Sequence, residues 1–574
     1  MRAGSTVLAV LVMMTAAAVM ADDDPQKAAE EPVGGLAFAD EVQVTVVNID
    51  VYVRDRGGDP VTGLGPEDFR IFQNGVEMPV SNFAELNAEV IRHRVSEQAF
   101  RVPEKAAASS AEPEEELEIK PIFVVLFIDH ENIETLDRNR VLRRVREFVT
   151  ENLDEPVRMM VVSRTQSLKV LQPFTSESRE VNGALRSMTM ATGGREERET
   201  ERQAIIKAMT DARNQDHGTT VNTQTGARMD MRQRVSTFAA EEAYSLRMTL
   251  DGLRQVIAML SGIEGRKSII YVSSGIPMEP GLGLMQDYAM TFGDQSILSL
   301  RGRYDGTRLF HELTSVATAQ EVSLYSIDAT GLNPLDGFEA ESAYSRDPTA
   351  SSLGSKNYQA SLKYMAEATG GIAVVNTNDV SGGLMKITDD LYNYYSLGYP
   401  LSTSGQDRVH HIKVELTGDK KVDLRYRRRF VEKSFESRIQ DRVFTSLVVD
   451  IDDDPMGLEL TAEAPAAGSG EQWMIPFHVS FDLNTIALMP VGDELIGRVV
   501  LYVGARDEDG RSSEVQRQEH EIRLPKDDYL AAGKERFGLD FRLLLTEGRQ
   551  RIAVGLMDPI TRQAAYDRLV LGVP

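Results

Sequence analysis

Seven consecutive apolar residues, Ile122 to Ile128, stand between Pro121 and Asp129. A run this continuous cannot alternate between core and solvent, so it predicts a strand covered on both faces, as in a parallel sheet. Residues 135–153 then carry Leu136, Val141, Leu142, Val145, Phe148 and Val149 at helical spacing. The alternation continues with strands expected at 157–163, 168–174, 267–272, 322–327 and 372–376. Helices are expected between and after them at 177–190, 244–263, 310–320, 358–368 and 383–395. Strand and helix repeated this often predict an α/β fold, a doubly wound and mostly parallel sheet spanning residues 119–400.

On both sides the periodicity drops to two. Val47, Ile49, Val51 and Val53 alternate in one phase, Val42, Val44 and Val46 in the other. That predicts one strand with a bulge, or one buried on both faces. With the hairpin signal Asn74-Gly75, residues 40–100 are expected to form a small β domain. Residues 101–118, rich in Ala, Ser, Pro and Glu, are the expected linker. A β-hairpin extension is expected at 401–435, around Gly418-Asp419, and a β-sandwich-like domain at 436–574. Two insertions interrupt the α/β region. Residues 193–240 include the charge run Arg195-Glu196-Glu197-Arg198-Glu199, read as the solvated face of a helix pair or flap. Residues 276–307 contain Met278, Met285 and Met290, read as packing residues.

Residues 1–21 combine Arg2, an apolar stretch from Thr6 to Met20 and the small-x-small end Val19-Met20-Ala21. This is the pattern of a secretory signal peptide, the alternative being an uncleaved anchor. An acidic, flexible leader is expected at 22–39. The remaining apolar runs are too short for a bilayer, so no membrane span is expected after cleavage. The protein is expected to be exported, to a periplasm, cell envelope or extracellular space. Against 63 Lys and Arg stand 88 Asp and Glu in 574 residues, a formal charge of −25. That balance argues against nucleic acid and anionic membranes as partners. With no cysteine there is no disulfide, thiolate metal site or cysteine nucleophile.

Ligands of open parallel sheets meet the carboxyl ends of the strands. Those ends read Asp129-His130-Glu131-Asn132, Ser163-Arg164-Thr165, Ser273-Ser274-Gly275 and Asp328-Ala329-Thr330-Gly331. The strand ending in Asp129, the segment Ser268 to Gly275 and the order of helices around them resemble a von Willebrand factor type A domain. More closely, the chain resembles the VWFA-related family of bacterial exported proteins first named from acidobacteria. Val51-Tyr52-Val53-Arg54-Asp55, Asp68-Phe69, Asn74-Gly75, Gly265-Arg266-Lys267, Met365-Ala366 to Gly370-Gly371 and Tyr394 to Tyr399 carry the likeness, over residues 40–435.

The resemblance implies a metal-ion-dependent adhesion site, with Asp-x-Ser-x-Ser after the first strand, a loop Thr, and an Asp before Gly. Asp129 matches; Glu131 and Ile133 stand at the two Ser positions, Ser274 at the second Asp, and the Thr is Thr189 or Thr192. The candidate ligands are therefore Asp129, Glu131, Ser273 and Ser274, and the implied cation Mg²⁺ or Mn²⁺. Ile133 brings no oxygen, which makes the site degenerate. The alternative, which the residues favour, is Asp129 as a structural carboxylate accepting backbone N–H bonds from its own loop. Asn132, Ser163 and Asp328 complete the candidate binding edge.

Catalytic patterns are missing from the sequence. Ser273-Ser274-Gly275 lacks the nucleophile-elbow frame, and Asp129-His130-Glu131-Asn132 would repel a phosphate. The expected function is thus a non-enzymatic, exported protein-binding module with a degenerate metal-adhesion site. The alternative is divalent-metal-dependent adhesion or ligand capture centred on Asp129. A hydrolase using Asp129 and Glu131 as acid and base is a third class, without a recognisable substrate pocket.

Overall fold

The computed structural model describes residues 44–91, 121–165, 167–190, 194–215, 221–332, 348–402, 407–418, 421–449, 453–468, 472–526 and 536–574. The expected signal peptide, leader and linker lie outside these residues. The described residues divide into two compact units, one built mainly of residues 46–400 and 407–449 and the other mainly of residues 453–574.

The first unit opens with four strands, β1 (Val44–Arg54), β2 (Phe69–Gln73), β3 (Val76–Met78) and β4 (Asn82–Leu86). The alternating region follows: β5 (Ile122–Asp129), α1 (Thr135–Asn152), β6 (Val157–Arg164), β7 (Leu168–Thr175) and α2 (Ser178–Ser187). Next come α3 (Arg195–Gln215), α4 (Val221–Leu260), β8 (Arg266–Ser273), α5 (Leu282–Phe292), α6 (Thr307–Ala319) and β9 (Val322–Asp328). It closes with α7 (Pro348–Thr369), β10 (Ala373–Val374) and α8 (Val380–Tyr392).

The central sheet has the order β10-β9-β8-β5-β6-β7. Every pair is parallel except β6 with β7, an antiparallel edge. Read from the β7 edge, the order is 3-2-1-4-5-6, the doubly wound order whose switch point falls between β5 and β8. All of β5 is buried. Val124, Leu126 and Ile128 pack on one side with Val141 and Leu142 of α1 and Ile387 of α8. Val125 and Phe127 pack on the other with Leu250 and Leu253 of α4 and Phe310 of α6. Each such side chain contributes about 1.5–3 kcal/mol by leaving water, which is why the unbroken apolar run becomes the middle of the sheet.

After α8 come β11 (Tyr394–Ser402), β12 (Arg408–Leu416), β13 (Asp423–Tyr426), β14 (Arg429–Glu432) and α9 (Phe435–Ser446). They complete two sheets begun at the other end of the unit, β13-β1-β11-β4 and β14-β12-β2-β3. The extension at 401–435 is therefore not a simple hairpin about Gly418. β12 pairs with β14 and β2, while β13 pairs with β1. Alternation identifies a strand but not its partner, and the open edges of β1 and β2 compete for these segments. The Asn74-Gly75 turn does join β2 to β3, with φ of 50° and 85° at its two residues. Of the alternatives for β1, burial on both faces describes Val51 to Arg54, whereas Val46 is exposed.

A charged knot fastens this β layer to the α/β layer. Asp390 of α8, fully buried, accepts from Arg54 Nη2 of β1 at 2.6 Å and from Arg425 Nη2 of β13 at 2.7 Å on each carboxylate oxygen. Nearby, Lys267 at the start of β8 is buried and donates to the Ile263 carbonyl at 3.0 Å. Burial pushes its ammonium from the ordinary 10.5 down to about 8. Between those values the unfolded chain holds a proton that the folded chain has released, so stability rises with pH through that window. Urea midpoints of the wild type are expected to climb from pH 8 to pH 10 more steeply than those of Lys267→Met; parallel curves would refute the assignment.

The described parts of the two insertions pack on each other. Ile205, Ile206 and Met209 of α3 meet Met231, Val235 and Phe238 of α4, and Leu284, Met285 and Tyr288 of α5. Met285 is core, Met278 packs beside the main core, and Met290 is exposed.

The second unit holds β15 (Glu459–Ala462), β16 (Ala466–Ala467), β17 (Gln472–Asp482), β18 (Leu488–Val491) and β19 (Glu494–Arg506). It continues with β20 (Gln516–Pro525), β21 (Arg536–Thr546), β22 (Gly548–Met557) and β23 (Ala564–Val573). They form two antiparallel sheets, β15-β17-β16 with β21 on β17, and β18-β19-β22-β23 with β20 on β19. Phe477, Phe481, Leu501, Ile552 and Leu556 join both sheets in one core, the construction of a β-sandwich.

Candidate binding edge at the switch point

The switch point places the carboxyl ends of β5 and β8 side by side, and there the apolar strands end in polar residues. Asp129 is wholly buried. Its Oδ1 accepts from Arg164 Nη1 at 3.2 Å. Its Oδ2 accepts from the Tyr271 hydroxyl at 2.5 Å and from Asn132 Nδ2 at 2.6 Å, with Ser273 Oγ at 3.5 Å. Register explains the ion pair: Asp129 and Arg164 are the last residues of adjacent parallel strands and face each other directly. The carboxylate holds the Tyr271 phenol protonated, far above its ordinary range, through burial first and its own charge second.

Asn132 relays this centre to the first insertion. Its Nδ2 also reaches Thr249 Oγ1 at 3.1 Å, and its Oδ1 accepts from Arg198 Nη2 of α3 at 2.7 Å. The same Arg198 nitrogen donates to the Glu131 carbonyl, and Arg198 Nη1 to Ser245 Oγ at 2.6 Å. Arg195 Nη1 donates to the Ser274 carbonyl at 3.0 Å, and its guanidinium lies 4.8 Å from the centre of the Tyr358 ring. Thr135, at the start of α1, donates its N–H to Glu196 at 2.9 Å. The charge run at 195–199 is thus solvated on one side only: Glu196 and Glu197 are exposed, whereas Arg195 and Arg198, three residues apart on α3, share the side that covers the strand ends.

The other sequence candidates fall into separate roles. Ser273 Oγ accepts from the Gly275 N–H at 3.1 Å. Gly275 has φ +86°, and a Cβ there would stand 2.4 Å from the Tyr358 carbonyl, so only glycine fits the turn leaving β8. Ser274 is buried and its Oγ has no partner among the described residues. The Glu131 carboxylate lies against the Gly194 backbone. Asp328 is held in its own loop by the Thr330 N–H at 3.0 Å and hydroxyl at 2.5 Å, and by Gln359 at 3.2 Å. Ser163 is buried beside Ile128 in register. Thr189 donates its hydroxyl to the Arg186 carbonyl at 2.8 Å, and Thr192 lies outside the described residues. The structure thus gathers the side chains of Asp129, Asn132 and Ser273, joins Glu131 and Ser274 to them through backbone groups only, the Ser274 N–H donating to the Asn132 carbonyl at 3.1 Å, and leaves the Ser163 and Asp328 side chains in other settings.

Beside this centre sits a second buried pair, Arg138 with His130. Arg138 Nη1 lies 3.1 Å from His130 Nδ1, and its Nη2 donates to the Thr189 carbonyl at 3.3 Å. Burial, then the Arg138 charge, pushes His130 down to about 4, so the ring is neutral at ordinary pH.

These residues do not fit a Mg²⁺ or Mn²⁺ ion. Octahedral coordination needs several free oxygens at about 2.0–2.1 Å. Here both Asp129 oxygens accept from protein donors, and two guanidinium groups adjoin the place a cation would take. Among the described residues no cluster of three His, Asp or Glu could hold a metal.

No family model and no curated protein matches the chain. Among solved structures it is similar to the vWF domain of the type V pili tip protein Mfa5 from Porphyromonas gingivalis, at 13% identity and TM-score 0.26, over 48% of this chain and 96% of that one. It is similar to BatB from Bacteroides thetaiotaomicron at 13% identity and TM-score 0.21, over 46% and 98%. An aerotolerance-related membrane protein from Bacteroides fragilis follows at 12% identity and TM-score 0.23, over 47% and 98%. TM-scores this low add nothing to the strand order, on which the doubly wound assignment rests.

Proposed function

We propose that the chain is an exported, non-enzymatic binding protein whose carboxyl edge grips a protein partner without a metal ion. One observation carries it: large apolar side chains stand in water at the crevice where doubly wound sheets bind ligands. Leu136, in the first turn of α1 after the Asp129 loop, is 81% exposed, and Leu332, just past β9, is 45% exposed. Arg140 ties the two segments that carry them. Arg140, one turn along α1 from Leu136, donates to the Ala329 and Thr330 carbonyls at 2.8 Å, two residues from Leu332. Apolar anchors beside arginines are the composition of interface centres.

Export rests on the signal-like segment at residues 1–21, and the acidic charge of −25 favours a protein over nucleic acid as partner. Resemblance to the VWFA-related exported family agrees with this reading. The metal-dependent alternative draws no support from the Asp129 geometry. Among the described residues no helix is long and apolar enough to cross a membrane. A photo-crosslinking residue placed at Arg143 on α1, tested in the exporting cell's envelope, is expected to trap a discrete protein. The paired substitutions Leu136→Asp and Leu332→Asp are expected to abolish the adduct while leaving the melting curve in place. Adduct formation unaffected by both substitutions would refute the proposal.

A further inference from the structure

We propose that Arg164 and Arg198 are the resident cation of this edge, two guanidinium groups that organise the strand-end loop as a bound divalent ion would. The inference concerns the edge proposed above to bind a partner, but it is tested on the isolated chain, so each can fail alone.

A fully buried carboxylate at the end of an apolar strand demands a counter-charge. Arg164, itself buried, supplies it from the neighbouring strand at 3.2 Å. The second cation arrives from the insertion. Asn132 turns its Nδ2 to Asp129 and its Oδ1 to Arg198, at 2.6 Å and 2.7 Å, so one amide links carboxylate and guanidinium in a single orientation. Arg198 directs further donors to the Glu131 carbonyl and Ser245. The planar fork of a guanidinium suits such a role, because it keeps its charge at every accessible pH and aims its N–H donors in fixed directions. A metal ion brought to the same spot would meet two like charges and no uncommitted Asp129 oxygen. The edge is therefore set permanently, without dependence on dissolved ions.

The test is a set of melting curves on the full chain. The wild-type Tm is expected to be the same in EDTA, in millimolar MgCl₂ and in millimolar MnCl₂. Arg164→Gln is expected to lower Tm by roughly 10 °C, because it strands a buried charge. The double variant Asp129→Asn with Arg164→Gln is expected to melt above both single variants, since neither charge is then left alone. Should one single variant fail to fold, the double variant is compared with the other. Methylguanidinium added to Arg164→Ala is expected to restore part of the lost Tm, and methylammonium to restore less. A Mn²⁺-induced rise of wild-type Tm that vanishes in Asp129→Asn overturns the proposal. So does a double variant that melts no higher than its single variants.

Discussion

Replacing Asp390 with alanine is expected to lower unfolding stability by about 3–5 kcal/mol, the cost of leaving buried guanidinium charge without its partner. The side chain is wholly buried and serves two arginines at once, Arg54 at 2.6 Å and Arg425 at 2.7 Å. One carboxylate on α8 thereby fastens β1 and β13. Arg54 is itself nearly enclosed, with 9% of its side chain exposed, whereas Arg425 at 21% recovers some solvation. Loss should therefore appear first at β1. Hydrogen exchange at the Tyr52 and Val53 amides is expected to accelerate in Asp390→Ala well before exchange in β5. Urea denaturation gives the magnitude; a loss below about 1 kcal/mol would mean that the two arginines find water without disturbing the fold.

Asp129→Ala is expected to cost a similar amount, again about 3–5 kcal/mol, for the same reason at the opposite edge of the sheet. The two variants should differ in what loosens. Asp129 positions Asn132, Asn132 positions Arg198, and Arg198 holds α3 over the strand ends. Limited proteolysis of Asp129→Ala is expected to open α3 and the start of α4, while Asp390→Ala leaves that helix pair protected. If Asp129→Ala lowers the urea midpoint but α3 stays as resistant as in wild type, the chain through Asn132 does not transmit the fastening.

Much of the α/β layer was legible because burial writes itself into the sequence. An unbroken apolar run admits few placements, and Ile122 to Ile128 indeed forms the middle strand, with α1 close to its expected bounds. Less legible were the features that depend on a partner distant in sequence. Nothing local says that β2, besides its hairpin partner β3, takes β12 on its other side, because any such partner would show the same alternation.

The candidate edge was read in its residues but not in its wiring. Asp129 and Arg164 were both recognisable as strand-end residues. Adjacent parallel strands of equal length bring their last residues opposite each other, so an ion pair was available to inference. Tyr271 gave no signal, since a tyrosine inside an apolar strand looks like core until the atom its hydroxyl meets is known. Arg195 and Arg198 were concealed by the acidic residues among them, and only their spacing of three betrays a common side.

The pairing of β1–β4 with β11–β14 has a kinetic consequence. Ser81 donates to the carbonyl of Gly398, 317 residues away. A ribosome adding roughly 5–20 residues per second needs on the order of tens of seconds to cover that distance. Throughout that interval the nascent β1–β4 segment has open edges and nothing of its own to close them. Production of this protein is therefore expected to lean on holding chaperones, and truncations that end before Tyr394 should aggregate rather than accumulate as a soluble α/β fragment.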